Sequence, residues 1–372
     1  MEQDNRIVCN RCLMNSSVPD IVFNQDGICS YCEDFDKNIS YYRFNDEKSG
    51  NRLSFLAEKI KKAGKGREFD SILGLSGGVD SSYVAYLAHE MGLRPLTVHF
   101  DNGWNSEVAV SNIKKIVDKC GFGFETYVID WAEFRDLQRS FFKAAVVDIE
   151  MITDHAILAA MFHYAKKYGI KYILSGENYA TEHGMPKSWV WNKQDIVNIR
   201  DIQRRFGTLK LEAFPVMGSF KFALIRKLWS DRFIRLLNNV NYKKNDALSV
   251  LSREFQWEYY GGKHYESVFT KFYQGYILPT KFGIDKRIAH WSALIRNGEV
   301  SREEAMEQLS RPAYPHAELC ADKEFVLKKL GFDRDEFDSI MKLKPVPHDF
   351  YRSNKKMLYF FSRIFKLFDY RK

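Results

Sequence analysis

From Phe69 the chain alternates between short apolar runs and longer stretches whose apolar residues recur at helical spacing. Ser71–Leu75 is the first run. It breaks at Ser76-Gly77-Gly78, and a helical pattern opens at Asp80-Ser81-Ser82, with apolar residues at Val84, Leu87, Ala88 and Met91. Pro95–Phe100, Phe124–Ile129 and Tyr172–Leu174 read as three further strands, and the segments at about 80–92, 106–120, 132–149 and 153–168 as helices. That order predicts an α/β fold, a doubly wound parallel sheet with helices on both faces. In such sheets ligands sit beyond the carboxyl ends of the strands. The polar ends here are Ser76-Gly77-Gly78, Asp101-Asn102-Gly103 and Ser175-Gly176-Glu177-Asn178, and they are expected to converge on one crevice. After about residue 185 the alternation stops, and 220–372 read as mainly helical. The predicted organisation is a small N-terminal unit over 1–45, an α/β nucleotide domain over 46–215 and a helical region over 216–372 that completes the site.

Composition adds limits. The 372 residues are 45% hydrophobic and 15% aromatic, with a net charge of +8. A mild positive excess suits an anionic small ligand. Nucleic acid usually draws denser basic patches, so none is expected as a partner. No signal peptide opens the chain and no apolar run is long enough to span a bilayer, which predicts a cytoplasmic protein. There cysteines stay reduced, and the clustered ones need another explanation. Cys9-Asn-Arg-Cys12 and Cys29-Ser-Tyr-Cys32 are two CxxC knuckles separated by sixteen residues, joined by a short β-ribbon with an Asp-Gly turn. Four thiolates at this spacing predict a closed tetrahedral Zn²⁺ site of structural role, with an iron–sulfur cluster as the rival occupant. Cys120 and Cys320 are expected to be packing residues. The ending KKMLYFFSRIFKLFDYRK is an amphipathic basic helix, docked on the body or in weak contact with a membrane surface.

A glycine turn between a strand and a helix N-terminus presents backbone N–H groups to phosphate, yet the lysine of the GxxxxGK[ST] loop is absent. Ser-Gly-Gly-x-Asp-Ser-Ser in this context resembles the PP-loop of the ATP-pyrophosphatase superfamily, whose fold is that of the adenine nucleotide alpha hydrolases. The resemblance implies that the turn, with Ser76, Gly77, Gly78, Ser81, Ser82 and Gly176, holds the β,γ-pyrophosphate of ATP. Asp80 would carry Mg²⁺ and Asp101 would adjoin the adenosine. The α-phosphorus is then open to attack, giving an adenylated substrate and pyrophosphate. No cysteine is placed for sulfur transfer, so ammonia is the expected nucleophile, and no glutaminase pattern is present.

The combination of CNRCLM…DGICSYC, LGLSGGVDSSY, SGEN and EYYGGKHYESVFTKFYQGYILPTKFGIDKR resembles the N-acetyl sugar amidotransferases of bacterial lipopolysaccharide O-antigen and flagellin-sugar pathways, over nearly the whole chain. It implies ATP-dependent conversion of the acetamido group of a nucleotide-activated N-acetyl sugar to an acetamidino group. Ammonia would come from a separate histidine-pathway-type glutaminase working with a barrel, cyclase-like subunit. Candidate catalytic residues are Asp80 through its Mg²⁺, Lys263 and Lys271 for developing negative charge, His264 and Glu266 for proton steering, and Glu177, at a strand tip, for the sugar or a second magnesium. Asp154-His155 are candidates for the sugar or a second magnesium, and Lys281 and Arg287 for an acidic sugar or its diphosphate. The aromatic segment Tyr259–Tyr276 and the C-terminal helix are candidate docking faces for the ammonia-supplying partner. The competing reading is a zinc-ribbon PP-loop tRNA-modifying thiolase.

Overall fold

In the computed structural model, which describes residues 6–42, 46–218, 221, 232–263, 265–357 and 360, five parallel strands form one sheet. They are β1 (Ser71–Gly74), β2 (Pro95–Asp101), β3 (Gly123–Val128), β4 (Tyr172–Ser175) and β5 (Phe233–Arg235), in the order β3-β2-β1-β4-β5. Ile72 pairs in register with Leu96 on one side and with Ile173 on the other. The four strands read from the apolar runs are present. The fifth lies in the stretch expected to be helical, and three residues are too few for periodicity to mark.

Alternation along the strands gives the sheet two apolar faces. Leu73, Leu75 and Leu174 pack on one side against the helices α3 (Val79–Glu90) and α4 (Glu107–Cys120). Ile72, Leu96, Val98 and Ile173 pack on the other against α6 (Met151–Lys167). Preceding these are α1 (Ser30–Asn38) and α2 (Asp46–Ala63). Helix α5 (Trp131–Lys143) stops earlier than its apolar pattern implied, followed by Ala145 at φ 53°.

The later helices are α7 (Tyr179–Glu182), α8 (Ile196–Phe206), α9 (Lys244–Phe255), α10 (Val268–Phe272), α11 (Lys286–Asn297), α12 (Arg302–Ser310), α13 (His316–Leu330) and α14 (Arg334–Lys342). A π-helical segment, Tyr273–Phe282, links α10 towards α11 and contains Pro279. The carboxy-terminal helices do not form a core of their own. Phe269, Phe272, Val326, Leu330, Phe337 and Ile340 share one apolar cluster with Phe134, Leu137 and Phe141 of α5 and with Ile199 and Ile202 of α8. The segment 104–106 also meets the entry to α10. Asn105 bridges Ser267, Ser106 N–H donates to the Glu266 carbonyl at 2.8 Å, and Val268 N–H to the Trp104 carbonyl at 2.9 Å. The later region is thereby tied to the tip of β2.

At the N-terminus the expected β-ribbon is reduced to two antiparallel bridges, Val8 with Asn15 and Phe23 with Cys29. The Asp-Gly turn is present with Gly27 at φ 70°. The C-terminal amphipathic helix expected over 355–372 lies mostly outside the described residues. No helix among the described residues is long and apolar enough to cross a membrane.

Glycine is required at Gly77. Its φ is 80°, and a Cβ there would meet the Ala109 carbonyl oxygen at 2.4 Å. We predict that Gly77→Ala destabilises the protein by about 1–3 kcal/mol. Chemical denaturation of the purified variant reads this directly, and an unchanged midpoint would contradict the crowding argument.

Candidate active site

The turn after β1 is held by its own hydroxyls. Gly78 N–H donates to Ser76 Oγ at 3.2 Å, and Ser76 N–H to Ser81 Oγ at 3.3 Å. The two hydroxyls lie 3.1 Å apart. Gly78 caps α3 and has no side chain to offer, so the first N–H groups of the helix are left for another acceptor. In this structure Val79 N–H donates to the phenol oxygen of Tyr260 at 3.2 Å. From the neighbouring tip, Gly176 packs so closely that a Cβ would lie 3.0 Å from the Asp80 carbonyl carbon.

This turn forms one end of a cavity of about 640 Å³. Asp80, Ser81, Gly176, Glu177 and Glu182 line it from the sheet side, and Lys244, Tyr260, Lys263 and Glu266 from the facing wall. Its far end is built from the segments around Lys271, Gln274, Lys286, Arg287, Trp291 and Arg311. The charges near the turn are interlocked. Tyr242 donates its phenol proton to Asp80, and burial and then the Asp80 charge hold that phenol well above its ordinary pKa. Lys263 pairs with Glu182 at 3.2 Å. Burial works against the Lys263 charge, but Glu182 and Asp80 outweigh it and lift the ammonium above its usual range. Lys244 goes the other way, lowered by burial and by the Lys263 charge. A lowered lysine beside a raised one is how a pocket keeps two cations together at modest cost.

Several residues expected at the site line this cavity: Ser76, Gly78, Asp80, Ser81, Gly176, Glu177, Lys263, Glu266, Lys271 and Arg287. Glu177 is ion-paired to Arg235 at 2.8 Å, and Lys271 to Glu318 at 2.7 Å and Asp322 at 3.1 Å. Other expectations are corrected. Ser82 is fully buried, and its hydroxyl accepts from the Trp257 indole at 3.2 Å instead of facing the cavity. Gly77 lies beneath the turn against Ala109. Asp101 stands outside the lining, where it accepts from Gly103 N–H at 2.8 Å and Asn105 Nδ2 at 3.2 Å. Lys281 caps the end of α14, donating to the carbonyls of Ile340 at 2.6 Å and Leu343 at 2.7 Å.

Asp154 and His155 are likewise outside the cavity. Asp154 pairs with Lys193 at 2.9 Å. His155 is buried between the Lys193 carbonyl and Met217 N–H, and burial lowers its pKa. Cys320 is exposed, where packing was expected. His264 lies outside the described residues. Sequence reasoning missed Tyr242, Lys244, Glu182 and Lys286. Glu182 stood close to a recognisable motif, seven residues beyond Ser175. Lys244, in the unremarkable string NYKKND, offered no signal.

For Mg²⁺ the donor set fits the ion's usual demand of one or two carboxylates plus phosphate oxygens, with Asp80 as the carboxylate. Among the described residues the one group of three or more metal-type ligands held close together is the cysteine cluster. Cys9, Cys12, Cys29 and Cys32 are fully buried, with all four sulfurs within 4.8 Å of one another. Cys9 and Cys32 are 4.0 Å apart, Cys12 and Cys29 3.7 Å. A tetrahedral ion with bonds of about 2.3 Å requires sulfur separations of about 3.8 Å, so the cluster fits a single ion and is too tight for an iron–sulfur cluster. Cys29 N–H and Arg11 N–H point at Cys9 Sγ, and the Arg296 guanidinium at Cys12 Sγ, which offsets thiolate charge.

The fold and site define a PP-loop, ATP-binding α/β protein with a cysteine-cluster appendage. Residues 73–178 match the asparagine synthase family, and residues 266–365 match "LPS biosynthesis protein WbpG-like, C-terminal domain". The chain thus combines a PP-loop domain with a WbpG-like C-terminal domain, as its resemblance to the sugar amidotransferases implied. The matches support an ATP-dependent, amidotransferase-type role in LPS biosynthesis. No curated protein matches the chain. Solved structures similar to it include NMN synthetase from Francisella tularensis, 15% identical, covering 57% of this chain and 94% of that one at a TM-score of 0.30. NH3-dependent NAD synthetase from Campylobacter jejuni subsp. jejuni NCTC 11168, in complex with the nitrate ion, is 14% identical over 57% and 94%, at 0.30. NAD+ synthetase from Burkholderia pseudomallei is 14% identical over 61% and 92%, at 0.28.

Two outcomes follow from this geometry. Cys12→Ser is expected to lose its metal and several kcal/mol of stability, read by elemental analysis and thermal unfolding. Full metal content in that variant would reject the four-thiolate site. Tyr242→Phe removes the proton donor on Asp80 while keeping the ring packing, and is expected to alter the Mg²⁺ dependence of ATP turnover with little loss of stability. An unchanged magnesium titration would count against Asp80 as the ligand.

Proposed function

We propose that this protein is an ATP-dependent N-acetyl sugar amidotransferase, which adenylates the acetamido oxygen of a nucleotide-activated sugar and replaces it with ammonia. One observation carries the reading. The glycine turn and Asp80 open into the same cavity whose far wall comes from the WbpG-like segment, so a nucleotide and a second, sugar-sized substrate fit in one enclosure. Its volume, about 640 Å³, is ample for reacting groups from both.

In this reading the N–H groups at the start of α3 and the hydroxyls of Ser76 and Ser81 hold the pyrophosphate end of ATP. Asp80 would hold Mg²⁺, which would supply the charge that offsets the departing pyrophosphate. Lys263 and Lys244 stabilise charge developing at the α-phosphate. The acetamido oxygen forms its bond to the α-phosphorus as the bond to pyrophosphate breaks. Ammonia then adds to the activated carbon, AMP leaves, and a proton is lost from nitrogen. Glu266, on the wall over Gly78, is positioned to take that proton. Among the described residues no cysteine lines the cavity, which favours ammonia over sulfur as nucleophile and disfavours the thiolase reading. The cysteine cluster holds zinc and acts structurally. The ammonia comes from a separate histidine-pathway-type glutaminase with a barrel subunit, and the reaction takes place in the cytoplasm.

Incubating nucleotide-activated acetamido sugars with the protein, ATP, Mg²⁺ and ammonium should yield AMP, pyrophosphate and a sugar lighter by a single mass unit. ADP in place of AMP would sink the adenylation step. Asp80→Ala should abolish turnover with the fold intact, a loss of several kcal/mol of transition-state stabilisation. With free ammonium the rate should rise with pH as NH₄⁺ gives way to NH₃, and glutamine alone should not support turnover. Glutamine-driven turnover by the isolated chain would overturn the external ammonia supply.

A further inference from the structure

The cations around the cavity fall into two groups when their partners are traced. Lys263 is neutralised by Glu182, Lys271 by Glu318 and Asp322, and Arg287 by Asp285, which it grips through Nε and Nη2. Arg287 also donates Nη1–H to the Arg311 carbonyl at 2.8 Å. Lys286, the first residue of α11, is different. It is only 8% exposed and lines the cavity. Among the described residues its ammonium makes neither a hydrogen bond nor an ion pair, and it lies over the Tyr273 ring, 5.4 Å from Nζ to the centroid.

Asp148, deeper in the protein, feels the Lys286 charge. Burial opposes the Asp148 charge, and Lys193 and then Lys286 outweigh it. Asp148 is engaged through Oδ2 by the Lys193 ammonium and by Trp191 N–H, both at 2.6 Å, while its Oδ1 is buried without a hydrogen-bond partner among the described residues, and Lys286 reaches neither oxygen directly. Lys286 thus lines the cavity almost enclosed, with no direct hydrogen-bonding partner for its ammonium among the described residues, an arrangement that an anion in the cavity would complete.

The other cavity lysine without a side-chain hydrogen bond or ion pair among the described residues is Lys244, which lies over the Tyr259 ring at 5.5 Å. Asp80 and Lys263 both act on its charge, which places it at the glycine-turn end. Lys286 shares its wall with Gln274, Arg287 and Arg311, and every one of these belongs to the WbpG-like segment. The enclosure therefore has, among the described residues, one lysine without a direct hydrogen-bond or ion-pair partner at the nucleotide end and one at the opposite end.

We propose that Lys286, flanked by Arg287, is a second anion seat, separate from the pyrophosphate cradle, and that it holds an anionic oxygen group of the acceptor. The seat itself rests on burial and partner geometry. Its assignment to the acceptor rests on the proposed function. Two sources supply the same chemistry, the diphosphate of the nucleotide carrier or the carboxylate of an acidic sugar. Either would dock the far end of the acceptor and leave its acetamido group to reach towards Asp80.

The test uses the full-length protein with its cysteine site loaded and its nucleotide site saturated by α,β-methylene-ATP and Mg²⁺. Inorganic phosphate is titrated by calorimetry into wild type, Lys286→Gln and Lys286→Arg. Phosphate binding should weaken about tenfold or more in Lys286→Gln, the loss of one charge-assisted hydrogen bond, and recover in large part in Lys286→Arg. Affinity for α,β-methylene-ATP should match in all three, which also certifies the fold. No phosphate binding to wild type, or equal binding in Lys286→Gln, would overturn the seat. Competition separates the sources: displacement by UDP identifies the diphosphate, and displacement by free N-acetylglucosaminuronate the carboxylate. Phosphate binding that depends on Lys286 but yields to neither compound would keep the seat and reject the sugar reading.

Discussion

The site depends on two places where backbone meets backbone with no room for a side chain. Gly77 lies against the carbonyl of Ala109, and Gly176 against the start of α3, each too close for a Cβ to fit without displacement. These contacts follow from strand order. β1 is the first strand in sequence and lies at the middle of the sheet, with β2 on one side and β4 on the other. The chain leaves the two neighbouring tips in opposite directions, and a crevice opens between them. Glycine at both tips lets the N-terminus of α3 settle into that crevice with its first N–H groups pointing out. A side chain at either position would push the helix away from the place where its dipole is useful.

The second constraint is α11, which serves two structures at once. On one side Ser292 Oγ accepts from Leu13 N–H at 3.0 Å, and Arg296 reaches both Cys12 Sγ and the His183 carbonyl. Ala289 joins Trp189, Met14 and Val18 in the small core around the cysteines. On the other side Lys286, His290, Trp291 and Leu294 form part of the cavity wall. The cysteine site and the cavity wall therefore share one helix. Asp34 adds a further tie through His183 Nε2 at 2.7 Å. A metal held by the four cysteines would fix this helix, a mechanical role that requires no chemistry at the ion.

What was legible in the chain was local. The turn Ser76–Gly78, the strand tips and the CxxC pairs each carry their meaning within a few residues, because strand–turn–helix geometry and metal knuckles are short-range devices. Four of the five strands had a periodic signature of their own. β5 did not, since it is three residues long and exists through its pairing with β4. Lys244, Tyr242 and Lys286 were opaque for the same reason on a larger scale. Tyr242 is set by Asp80, 162 residues earlier, Lys244 feels the same carboxylate and Lys286 feels Asp148, and nothing in NYKKND or GIDKR announces these distant partners. The converse error also has a physical source. Lys281 and Ser82 carry the right chemical groups, but the helix geometry around them turns the first onto the end of α14 and the second under Trp257. Residue type limited what each could do, and tertiary direction decided what it does.

The lysine missing from the glycine turn has a structural counterpart across the cavity. The turn offers only neutral donors, so the cations come from the facing wall, Lys244 from α9 and Lys263 from the Gly261-Gly262 loop. A lysine within the loop would travel with the phosphates whatever the rest of the protein did. Lysines on the opposite wall supply their charge only when that wall is in place. The same wall also covers the seat. Tyr260 holds the Val79 N–H that a phosphate oxygen would take, and a side chain on Gly78 would come within 3.1 Å of the Glu266 carboxylate. Tyr260 belongs to the segment that follows Trp257 and runs towards α10, so the same stretch of chain that lines the cavity also occupies this N–H. That segment leads directly into the far end of the cavity, where Lys271, Gln274 and Lys286 stand. In a lysine-bearing loop the cation is part of the turn itself. Here it stands on the facing wall, on α9 and on the loop after Gly261-Gly262.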